Sequence, residues 1–82
     1  MNAPTNLDEA RRVYPPVWVI YDRPRDHPEG FVVRVHFGLF PEQHCRLAGS
    51  LIEAREIAVE LGASFCLGRM AADDWPIVET WL

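Results

Sequence analysis

Acids, cations and an imidazole crowd into residues 22–29, D-R-P-R-D-H-P-E, where Asp22, Arg23, Arg25, Asp26, His27 and Glu29 stand together. Prolines 24 and 28 restrict the backbone between them. Two kinds of chemistry suit such a group: an anion held by the arginines, or acid–base work by His27 among carboxylates. The same residues suit a solvated loop, in which each exposed ion pair contributes about 0–1 kcal/mol. Arg34 and His36 follow in a β-rich run, and Trp18 lies in the run before the loop. These complete the set of candidate ligand or partner contacts.

Other chemistries lack their residues. Histidines 27, 36 and 44 and cysteines 45 and 66 are metal-ligand types, but no paired-cysteine or paired-histidine spacing arranges them. His44 and Cys45 point to opposite sides of an extended chain. The only serines are Ser50 and Ser64, without a nucleophile-elbow motif around either. There is no lysine and no glycine-rich phosphate loop. No catalytic residue, metal or cofactor is expected. The two separated cysteines read as free thiols of a reducing compartment, with a disulfide or redox pair left open.

The elements that position these groups begin with residues 17–21, V-W-V-I-Y, apolar on both faces as a central or doubly covered strand is. Residues 31–37 alternate, with Phe31, Val33, Val35 and Phe37 on one face and Val32, Arg34 and His36 on the other. A long polar loop joins the two runs, the pattern of a hairpin. Trp18 and Ile20 are expected to share the face of Val32, Arg34 and His36. An exposed Trp with Arg is a composition suited to protein contact. Stacked single-stranded bases on Trp18, with Arg34 and Arg23 alongside, are the nucleic-acid version. A cover formed by the N-terminal arm or by residues 38–49 is the alternative.

Residues 38–49 are the least legible: Pro41 argues against a central strand, and 44–48 suit a short edge strand. Residues 50–61 are the most secure element. Ser50 and Glu53 form a capping box, and Gly62 fits the left-handed residue that ends a helix. Leu51, Ile52, Ala54, Ala58, Val59 and Leu61 sweep a wide apolar arc, with Glu53, Glu56 and Glu60 opposite. Arg55 falls inside that arc, its stem expected along the sheet. F-C-L within residues 64–70 is strand or packed loop, 71–74 read as a turn, and 76–82 as a terminal strand.

Together these predict a single α+β domain at 17–82. A small, mostly antiparallel sheet of about three to four strands carries one amphipathic helix on one face, in the order β-β-(β)-α-β. A flexible or loosely packed arm, 1–16, precedes it; Asn6 caps a turn or two there before Pro15 and Pro16 stop the helix.

The chain has 82 residues and a formal net charge of −4. Charges cancel over 1–46, so the acidic excess lies in 47–82, which argues against a nucleic-acid partner. Every basic residue is arginine, a composition that suggests a GC-rich bacterial source. No run approaches the roughly 20 apolar residues of a membrane span. The first residues lack a signal peptide's basic and apolar regions, so a cytoplasmic location is expected.

The opening W-V-I-Y-D-R-P-R-D-H-P-E-G-F-V-V-R and the close D-D-W-P-I-V-E-T-W-L resemble a group of small uncharacterised bacterial proteins. That resemblance would cover most of 17–82 and implies a fold without an activity, cofactor or ligand. Ser50-Leu51-Ile52-Glu53-Ala54 is similar to the helix start of antitoxins with the HicB fold, which implies a small bacterial protein as partner. The proline–aspartate segment before that helix is absent here. The expected function is a non-catalytic interaction module, homodimeric or bound to another small protein through a sheet face or edge. The alternatives are anion or small-ligand binding by the 22–29 loop with His36, and an antitoxin-like role.

Overall fold

A computed structural model describes residues 3–69 and 76–82; the turn expected at 71–74 lies outside them. The chain runs α1 (Leu7–Val13), β1 (Pro16–Asp22), β2 (Phe31–Phe37), β3 (Phe40–Pro41), β4 (Arg46–Ala48), α2 (Leu51–Glu60), β5 (Cys66–Gly68) and β6 (Ile77–Trp81). The α+β class and the antiparallel sheet follow the sequence. The finer expectation does not: the described residues form six strands and two helices, where three to four strands and one helix were expected. The two short strands β3 and β4 both lie against the outer edge of β2, and β5 adds an edge beyond β6. The sheet order is therefore β3-β2-β1-β6-β5, with β4 beside β3 along the same edge. Strand β4 falls within 44–48, where a short edge strand was expected, and β5 overlaps the F-C-L run read as strand or packed loop. Strand β3 at Phe40–Pro41 was not expected.

Register decides which residues share a face, and here it overturns a second expectation. Trp18 pairs with Val35 and Ile20 with Val33. Even-numbered residues of β1 thus sit beside odd-numbered residues of β2, because the connecting loop sets the parity. Trp18 and Ile20 belong with Phe31, Val33 and Val35 in the core under α2, and Trp18 is only 8% exposed. Arg34 and His36 lie on the opposite face, beside Val19 and Tyr21. The Trp–Arg contact surface expected from the sequence does not exist as one surface.

Helix α2 forms as its ends dictate. Ser50 accepts from the Glu53 N–H at 3.1 Å, and Glu53 Oε2 accepts from the Gly49 N–H at 3.0 Å. At the other end Gly62 has φ +122°, and the Gly62 and Ala63 N–H groups bond to Val59 and Ala58 carbonyls, a Schellman arrangement. Ala54, Ile57 and Ala58 are buried against β1, β2 and β4. Ala54 and Ala58, small and fully buried, permit close approach to the sheet. Helix α1 is capped by Asn6 through the Glu9 N–H and packs on β2 and β3, with Ala10 fully buried. Arg11 clamps Glu42 with two bonds of 2.8 Å, joining α1 to the segment after β3.

Width matters for function. Five strand positions about 4.8 Å apart span roughly 19 Å between outer axes, while one helix with its side chains is about 10 Å across. A single helix cannot cover that face. It leaves a trough on each flank.

Candidate functional site

The β2 flank of α2 holds a cavity of about 320 Å³ lined by Val33, Val35, Glu42, His44, Cys45, Arg46 and Leu61. The β6 flank holds one of about 410 Å³ lined by Ile52, Arg55, Glu56, Val59 and Trp81. Ile52 is 67% and Val59 54% exposed, so the outward side of α2 presents apolar groups that the fold leaves uncovered. At 100° per residue they share one line along the helix, with Arg55 to one side and Glu56 to the other.

Beneath the second trough sits the ion pair that ties α2 to β6. Arg55 Nε lies 3.0 Å from both oxygens of Glu79, and its NH2 group completes the fork. Glu79 is buried in the sheet face, where the Trp81 indole N–H donates to it at 3.1 Å. The Arg55 hydrogen bonds hold the Glu79 carboxyl below its ordinary value. Burial works against them, while the Trp81 N–H, the Arg55 charge and the Cys66 thiol add to them. The sequence reading missed Glu79 and Trp81 as a site. The available signal was a pair of opposite charges, Arg55 within the apolar arc of α2 and Glu79 among the β-branched and aromatic residues of β6.

The structure divides the 22–29 group. Arg23 adopts φ +47°, its N–H bonded to the Gly30 carbonyl, and its guanidinium turns back onto Asp22 at 2.9 Å. Arg25 is exposed. Asp26 and His27 instead lean toward the β2–β4 edge. There Asp26 Oδ2 is 3.8 Å from His27 Nε2 and 3.7 Å from Arg34 NH2, and Cys45 Sγ is 3.7 Å from the same His27 nitrogen. Arg34 also donates to the carbonyls of Glu42 and Gln43, fixing the bend between β3 and β4.

His36 is held apart from all of these. Its Nε2 lies 2.8 Å from the Tyr21 hydroxyl, with the two rings stacked at 6.2 Å. Burial, and then the Arg34 charge, push its pKa below the ordinary value, so it stands neutral near pH 7. Cys45 and Cys66 are free thiols. Among the described residues no group of three or more His, Cys, Asp or Glu side chains could hold a metal. Nor is any described helix long and apolar enough to cross a membrane.

The fold and its two troughs define a small α+β domain with a half-covered sheet. No family model, curated protein or solved structure matches the chain.

Proposed function

We propose that the chain is a non-catalytic interaction module that pairs with a second copy of itself through the outward side of α2. The observation that carries this is the seam of Ile52 and Val59, exposed beside a trough of about 410 Å³ and flanked by opposite charges. A two-fold axis parallel to α2 sets Ile52 against the partner's Ile52 and Val59 against the partner's Val59. It also brings Arg55 of each chain beside the partner's Glu56, the flank pairing of parallel coiled coils. Arg55 has N–H groups left over from Glu79 for this contact. The antiparallel alternative sets Glu56 against Glu56 and Arg55 against Arg55, which like charges oppose.

Light scattering after gel filtration tests the reading. The expected mass is twice the chain's 9.4 kDa at high micromolar concentration. Ile52→Asp and Glu56→Arg are each expected to give a folded single chain, since both side chains are exposed in the monomer. A single-chain mass for the wild type at millimolar concentration would sink the proposal, as would a dimer indifferent to both substitutions.

A further inference from the structure

The other flank of α2 carries a different feature, independent of whether the chain pairs. His27 and Cys45 are 18 residues apart and meet because the 22–30 loop and the β3–β4 connection both wrap the edge of β2. The Cys45 sulfur is 3.7 Å from His27 Nε2, and Cys45 is among the residues lining the cavity whose apolar wall is Val33, Val35 and Leu61. At about 320 Å³ that cavity is at the lower end of small-ligand sites. Arg46, His44 and Glu42 complete its lining. Asp26, itself beside Arg34, faces the same imidazole nitrogen and is placed to hold it once protonated.

Cys66 provides a contrast within one molecule. It is the more exposed thiol, and it neighbours the Glu79 carboxylate and the Arg55 guanidinium. Accessibility alone would make Cys66 the faster thiol to react. The arrangement of groups favours Cys45.

We propose that Cys45 is a nucleophilic modification site for soft electrophiles with an apolar body, of the α,β-unsaturated carbonyl class, seated in the Val33–Val35–Leu61 cavity. His27 Nε2 takes the thiol proton, and the imidazolium pairs with Asp26. The sulfur pair forms a C–S bond to the β-carbon, and the C=C π pair moves onto the carbonyl as an enolate. The imidazolium then returns the proton to the α-carbon. Nothing leaves, and no oxidant or reductant is needed.

The test treats the native chain with limiting N-phenylmaleimide and follows adduct formation at Cys45 and Cys66 by peptide mass spectrometry. Cys45 is expected to react at least about tenfold faster than Cys66, and His27→Ala to remove most of that advantage. His27→Gln, checked for native circular dichroism, guards against loss of fold in the alanine variant. Leu61→Asp is expected to slow N-phenylmaleimide more than iodoacetamide, which has no apolar body to seat. Equal rates at the two thiols, a faster Cys66, or a folded His27 variant with an unchanged Cys45 rate would overturn the proposal. None of these outcomes depends on the mass of the assembly.

Discussion

At the scale of single residues, Glu79 and His36 contribute to the pH dependence of the fold in different windows. Glu42, held low by the Arg11 hydrogen bonds, adds to the acidic one. Glu79 has a folded-state pKa below its unfolded one, with the Arg55 hydrogen bonds as the first cause. Its contribution is present above the unfolded value of about 4.3 and is lost as pH falls through the depressed folded value. His36 is also depressed, chiefly by burial, but the consequence begins nearer neutrality. The unfolded imidazole binds a proton from about pH 6.5 downward while the folded one resists it, so stability declines from there until the folded value is passed. Thermal melts across pH are expected to show a first decline starting near pH 6.5, absent in His36→Gln, and a second in the carboxylate range. Glu79→Gln is expected to lower stability by about 1–3 kcal/mol at pH 7, because the charge-assisted bonds from Arg55 weaken. The same variant should flatten the more acidic decline. A variant with wild-type stability at pH 7 and an unchanged acid limb would contradict this role for Glu79.

At the scale of elements, ends and close approaches carry the testable content. Ser50→Ala removes the acceptor for the Glu53 N–H and is expected to cost about 1 kcal/mol in denaturant unfolding. Gly30 matters for a different reason: a Cβ there would lie 2.9 Å from the Ala48 carbonyl oxygen, across the β2–β4 edge. Gly30→Ala should therefore force β4 outward and cost about 1–3 kcal/mol. A neutral result would show that the edge yields freely. The contrast explains what was legible. The α2 cap is local, with donor and acceptor three residues apart, so the sequence alone announced it. The parity of the β1–β2 hairpin depends on how residues 23–30 turn, and nothing in V-W-V-I-Y distinguishes its two faces. Placing Trp18 beside Arg34 was the result. Strand β5 is Cys66-Leu67-Gly68, too short to alternate, and β3 and β4 are broken by the bend that Arg34 caps. The 22–29 loop was visible as a charged group. That His27 would turn to Cys45 was not, because it depends on β4 pairing with β2.

At the scale of the molecule, the mismatch between one helix and a five-position sheet has thermodynamic consequences. A chain of this size buries only about 60% of its unfolded surface, so its intrinsic stability is modest and any added cover weighs heavily. The exposure of Ile52 and Val59 means that the monomer forgoes apolar burial that α2's arc was composed to supply. If a second copy supplies it, folding and pairing are linked and stability must depend on concentration. Tenfold dilution changes the association term by about 1.4 kcal/mol per dimer, or half that per chain. For a domain of this length that corresponds to a melting temperature lower by roughly 3–5 °C. Calorimetry from about 10 μM to 1 mM is therefore expected to show a steady rise in Tm for the wild type. Ile52→Asp should melt at one temperature throughout, below the wild type's upper values, because an exposed Asp disturbs the seam and leaves the monomer core of Trp18, Ile20, Val33, Ala54 and Ile57 intact. A wild-type Tm that does not move with concentration would mean that the trough beside Ile52 and Val59 stays open in the native molecule, and the paired form would have to be abandoned.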